Sequence, residues 1–123
     1  MRGIEGEQVL LRLILSESRR FDHRAMFMRI VELLREEGMA GATVVKGIAG
    51  FGHDRHVHTD TIEVLAQGLP IVVEVVDSQP HIDRALPKLE ALMEGGVITI
   101  ERADVIRYAK SSPRIAEPPA TQA

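Results

Sequence analysis

The strongest constraint in this sequence is the order of its elements: strand, helix and strand, then the same three again. Gln8–Ser16 alternates with period two and puts Val9, Leu11, Leu13 and Leu15 on one fully apolar face. Asp22 suits the N-cap of a helix reaching Glu37, with Met26, Phe27, Ile30, Val31 and Leu34 on one stripe and Gly38 as its stop. A second strand spans Ala42 to about Ala49. A polar loop, Gly50–Asp60, follows, and Thr61–Leu65 reads either as a short strand or as the loop's returning arm. Gly68 and Pro70 punctuate the chain before Ile71–Asp77, its clearest strand. Pro80 fits the first turn of a second helix ending at Glu94 before Gly95-Gly96, and Pro87 inside it predicts a kink or a break. Val97–Glu101 and a separate short strand, Val105–Tyr108, complete the set.

This order is the split β-α-β pattern, so the expected fold class is α+β: a ferredoxin-like βαββαβ sandwich with two helices on one face of a mainly antiparallel sheet. The chain's 123 residues make one domain, 1–110. From Ser111 on, Pro113, Pro118 and Pro119 mark a disordered tail, 111–123. With both helices on one side, the other sheet face needs an account. Giving each strand's most apolar alternation to the helices leaves Leu10, Arg12 and Ile14, then Val44, Lys46 and Ile48, then Val72, Glu74 and Val76. Each triplet sets one charge between two aliphatics, too apolar for a solvated sheet face. The expectation is an oligomer interface in which Glu74 pairs with Arg12 or Lys46. A tail or loop folded over the face of a monomer is the alternative.

Several function classes are disfavoured outright. A net charge of −3 argues against a nucleic-acid partner, and aromatics, at 3% (Phe21, Phe27, Phe51 and Tyr108), offer no base-stacking platform. With no cysteine there is no thiol chemistry. No apolar run approaches the roughly 18 residues of a membrane span, and Glu5 and Glu7 do not suit a secretory leader, so a cytoplasmic protein is expected. Catalytic motifs are missing too. There is no GxSxG or HExxH, Asp77-Ser78 reads as a helix start, and Glu36-Glu37 as a solvated helix end. The chain is not expected to be an enzyme.

The informative segment is Lys46 to Asp60. Glycines at 47, 50 and 52 let backbone N–H groups approach an anion, and Lys46 and Arg55 add positive potential. It lacks the Gly-Lys-Ser/Thr of a Walker A loop, and a hairpin with glycines in its turns reads equally well. His53, His56 and His58 lie within six residues. In an extended segment His56, His58 and Asp60 share a side and could ligate zinc or copper, although exposed loops tolerate histidine freely.

Gly41-Ala42-Thr43-Val44-Val45-Lys46-Gly47-Ile48-Ala49-Gly50-Phe51-Gly52, then His58-Thr59, Leu69-Pro70-Ile71-Val72-Val73-Glu74-Val75-Val76-Asp77-Ser78 and Leu86-Pro87 together resemble a prokaryotic family labelled domain of unknown function 190. That family is grouped with the PII-like signalling proteins. The resemblance covers roughly Gln8 to Tyr108. It implies a homotrimer binding a small anionic ligand, such as an adenine nucleotide, in clefts between subunits. It also implies a loop that signals to a target such as a membrane transporter or channel. By position, Lys46, Gly47, Gly50, Phe51 and Gly52 would line the cleft base, and Arg55, His56, His58 and Thr59 the loop. A metal-responsive trimer using the loop histidines is the alternative within the same superfamily. Two features of PII proteins are missing: the Gly-Asp-Gly-Lys phosphate grip, where this chain has Glu94-Gly95-Gly96-Val97, and the modified loop tyrosine.

Overall fold

Residues 3–51, 57–59 and 68–108 are described by the computed structural model. In chain order the elements are β1 (Gly6–Ser16), β2 (Arg20–Phe21), β3 (Arg24–Ala25), α1 (Met26–Glu36), β4 (Thr43–Lys46), β5 (Ala49–Gly50), β6 (His58–Thr59), β7 (Pro70–Asp77), α2 (Gln79–Leu92) and β8 (Val97–Val105). The main sheet runs β4-β7-β1-β8, with every neighbouring pair antiparallel. Both helices cover one of its faces. Val9, Leu11, Leu13 and Leu15 of β1 and Ile71, Val73 and Val75 of β7 are buried there beneath Met26, Ile30, Leu33 and Leu34 of α1 and Ile82, Ala85 and Leu89 of α2. Each fully buried Leu, Ile or Val contributes about 1.5–3 kcal/mol, so this aliphatic layer holds the fold without a tryptophan. The result is the ferredoxin-like α+β sandwich expected from element order.

The start of α1 departs from expectation. Asp22 is not its N-cap. Asp22 and His23 have φ of 53° and 69° and form the tip of a two-residue hairpin, β2–β3, in which Arg20 pairs with Ala25 and Phe21 with Arg24. Two consecutive left-handed residues are what a tight hairpin with the right twist requires, and aspartate tolerates that region better than most. The helix then begins behind Ala25, with no side-chain cap. Its other end is as read. Gly38 (φ 79°) donates to Arg35 O at 3.0 Å and Met39 N–H to Leu34 O at 3.2 Å, closing the last turn.

In α2, Ser78 is the N-cap, its side chain accepting from His81 N, with a proline in the first turn as expected. The helix runs through Pro87 as one element. Pro87 and Asp83 both lie on the exposed side, so the carbonyl deprived of its donor is one that water can reach, while Ile82, Ala85 and Leu89 keep the buried side seated. β4 stops at Lys46 rather than near Ala49. Gly47 N–H still reaches Pro70 O at 2.7 Å, but Pro70 has no N–H with which to continue the ladder. The separate last strand expected at Val105–Tyr108 does not form: residues 106–108 follow β8 without strand structure. β8 extends unbroken to Val105 because β1 begins early enough for Gly6 to pair with it.

Candidate functional site

The sheet face turned from the helices follows from the register. Residues directly opposite one another in antiparallel strands share a face. Leu10, Arg12 and Ile14 of β1 stand opposite Val76, Glu74 and Val72 of β7, and Arg12 and Ile14 stand opposite Thr99 and Val97 of β8. On β4 the expected phase is reversed. Thr43 and Val45 face Glu74 and Val72, whereas Val44 and Lys46 lie opposite the buried Val73 and Ile71 on the helix side. Neither alternation of that short edge strand is fully apolar, so its pattern could not fix its phase; its partner does. Val45 and Val97 are each about half exposed (50% and 51%).

Arg12 sits centrally on this face between two carboxylates. Its Nε is 2.9 Å from Glu74 Oε2 and its Nη1 3.1 Å from Glu101 Oε2. The hydrogen bond it donates to Glu74 is the main cause holding the guanidinium pKa above its ordinary value. The expected Arg12–Glu74 pair is therefore present, joined by a second acid that the sequence reading did not single out. Lys46, on the other face, pairs instead with Glu17 at 3.0 Å.

The end of the sheet where β1 and β4 finish carries Lys46, Gly47 and Gly50, among the binding residues named from sequence. Lys46 is tied to Glu17, whose backbone N–H bonds Leu69 O at 2.8 Å and whose other carboxylate oxygen is shielded from solvent with no hydrogen-bond partner among the described residues. Ser16 and Ser18 share a hydroxyl contact of 2.8 Å beside it. A Cβ on Gly47 would stand 2.7 Å from the Pro70 ring and one on Gly50 3.1 Å, so both glycines admit that proline. Ala49 and Gly50 pair with Thr59 and His58, making the base of a hairpin whose exposed flanks are Phe51 and Val57. Gly52, Arg55, His56 and Asp60 lie outside the described residues, and of His58 and Thr59 only the backbone pairing is described. Among the described residues no group of three metal-ligating side chains occurs. Across the same end, Arg19 lies against Gly95, a contact not foreseen from sequence.

At the opposite end Asp77 is wholly buried. It accepts from Ala40 N at 2.8 Å and Ser78 N at 2.7 Å, fastening the entry to β4 onto the start of α2. His81 Nδ1 lies 2.8 Å from Ser78 Oγ and 3.8 Å from Asp77 Oδ1. Acid and hydroxyl thus face the same ring nitrogen, whereas a charge-relay triad needs them on opposite nitrogens. The cluster is a helix cap, as Asp77-Ser78 suggested. Beside it a groove of about 350 Å³ is lined by Ile4, Thr43, Glu74, Val76 and Tyr108 among others. No helix among the described residues is long and apolar enough to cross a membrane.

Known proteins agree with this architecture. A UPF0166 protein of Methanocaldococcus jannaschii is 38% identical over 99 residues, covering 80% of this chain and 91% of that one. Among solved structures, a Thermus thermophilus protein described as a candidate PII-like signaling protein superposes with a TM-score of 0.63 at 18% identity, covering 82% of this chain and 91% of that one. CPII of Thiomonas intermedia, bound to ADP and bicarbonate, gives 0.55 at 19% identity over 82% and 90% of the two chains. The divalent ion tolerance protein CutA1 of Ehrlichia chaffeensis gives 0.54 at 14% over 87% and 88%. These likenesses establish the fold. Residues 8–105 match the DUF190 family, described as an uncharacterized ACR, and the chain belongs to that family.

Proposed function

We propose that this PII-like protein is a homotrimeric regulator. It binds a small anionic ligand, an adenine nucleotide in the first instance, in clefts between its copies. It signals occupancy through the Gly50–Asp60 hairpin to a target protein such as a membrane transporter or channel. One observation carries the reading: the sheet face opposite the helices sets Leu10, Ile14, Val45, Val72, Val76 and Val97 around the Arg12–Glu74–Glu101 group. Aliphatic side chains around a charge group whose members already satisfy one another suit contact with further copies of the chain. Such contact would bring the sheet end carrying Lys46, Gly47 and Gly50 to a boundary between copies. That the fold accommodates ADP in Thiomonas CPII is the reason to begin with adenine nucleotides.

Native mass spectrometry of the purified protein, alone and with ADP, tests both parts. The expected result is a trimer that retains nucleotide. A monomer of 13.6 kDa at micromolar concentration would remove the cleft and the reading with it.

A further inference from the structure

Resting on the nucleotide reading of the sheet end, we infer that Arg19 grips the phosphates of the ligand there and that position 95 is glycine in order to seat it. Most cations among the described residues have partners. Arg12 is held by Glu74 and Glu101, Arg24 and Arg29 by Glu32, Lys46 by Glu17, Lys88 by Glu37, and Arg102 by Glu7 and Asp104. A diphosphate arriving at this end would therefore meet a lysine whose charge Glu17 already balances. Arg35 and Arg84 have no ion pair but stand on the exposed sides of the helices, and Arg107 follows β8 at the far end of the sheet. That leaves Arg19 and Arg20, both exposed, at the end in question.

Of the two, Arg19 is the one that lies against Gly95. A Cβ on Gly95 would stand 2.5 Å from Arg19 Nη2, 3.2 Å from its Cζ and 3.8 Å from its Nε, so the guanidinium lies along the backbone at Gly95. The neighbouring Gly96 has φ of 95° and is glycine for its backbone; Gly95 has no such need, and the three atoms nearest the space its missing side chain leaves all belong to Arg19. The turn Ser16–Arg19, closed by Arg19 N–H to Ser16 O at 3.1 Å, fixes the root of that side chain two residues from Glu17. A guanidinium has a planar fork of donors, no acceptor and a permanent charge, which matches paired phosphate oxygens and favours a charged ligand over an uncharged nucleoside.

The test is calorimetric titration of the full chain with ADP, pyrophosphate and adenosine. Arg19→Gln should weaken ADP and pyrophosphate about tenfold or more and leave adenosine unchanged, with no change in melting temperature. Arg19→Lys should recover only part of the loss, because it restores the charge without the fork. Gly95→Ala should reproduce the loss, since the atoms nearest its methyl group are those of the movable end of Arg19. Wild-type affinity for ADP in Arg19→Gln, or an equal loss for adenosine, overturns the assignment while leaving nucleotide binding intact. If the unaltered protein binds neither ADP nor pyrophosphate, the nucleotide reading falls and the assignment of Arg19 falls with it.

Discussion

Replacing Asp77 with alanine should come close to unfolding the protein. The side chain is fully buried, and its two oxygens accept backbone hydrogen bonds from Ala40 at 2.8 Å and Ser78 at 2.7 Å. Alanine would leave both partly buried N–H groups without those acceptors. A hydrogen bond to a charged group contributes about 1.5–3 kcal/mol, so the pair sums to about 3–6 kcal/mol, against a typical total stability of about 5–15 kcal/mol. Asparagine keeps one acceptor oxygen and turns a donor toward the other N–H, so about half the loss or somewhat more should remain. The chain has no tryptophan, which makes far-ultraviolet circular dichroism in urea the natural assay. For a urea dependence of about 1.5 kcal/mol per molar, a loss of about 4 kcal/mol lowers the midpoint by about 2.5 M. Variants should be compared at one protein concentration, because the proposed assembly would add to apparent stability. A midpoint for Asp77→Ala within about 0.5 M of wild type would refute the claim that this carboxylate fastens β4 to α2.

Gly96→Ala should be poorly tolerated, because φ is 95° and a Cβ would overlap the carbonyl oxygen of Ile14; its melting temperature should fall well below that of Gly95→Ala. Gly47→Ala places a methyl 2.7 Å from the Pro70 ring, so hydrogen exchange at the residue 47 amide should speed up while exchange in β1 stays protected. Val72→Arg sets a second cation beside Arg12 on the uncovered face; sedimentation velocity should show the assembly lost, and an unchanged mass would clear that face of any role in it.

What could be read from the sequence followed from how many independent signals bore on each feature. β1 and β7 were legible because one alternation of each is wholly apolar, and once they were paired the Arg12–Glu74 contact followed from their positions alone. Gly38 and Ser78 were legible as helix ends because each sits where cap chemistry and the apolar stripe agree. Asp22 misled because aspartate serves equally at an N-cap and in a left-handed turn, and only the backbone angles separate the two. Lys46 was put on the wrong face because a four-residue edge strand flanked by glycine has no decisive pattern. The Arg19–Gly95 contact joins residues far apart in the chain with no periodicity linking them. One signal was available there: of two adjacent glycines, a turn of this kind requires only one.

How the hairpin could report on the sheet end is constrained by how it is attached. Described contacts between the segment Gly47–Gly50 and the sheet are concentrated on Pro70: the Gly47 N–H to Pro70 O bond at 2.7 Å and the close approach of the proline ring to both glycines. Pro70 stands opposite Ser16, two residues before Ser18 and three before Arg19, so the hairpin's attachment and the ligand's proposed contacts share one strand end. Fixing a backbone costs about 1–2 kcal/mol per residue, so a ligand that orders even a few hairpin residues must draw that free energy from its own contacts. The coupling is then reciprocal: a target that grips the hairpin should tighten nucleotide binding by the same factor by which nucleotide tightens the target. In Gly47→Ala, where the attachment is pried from Pro70, the two affinities should become independent while each remains measurable. Coupling that survives that substitution would mean that the signal leaves the sheet end by another route.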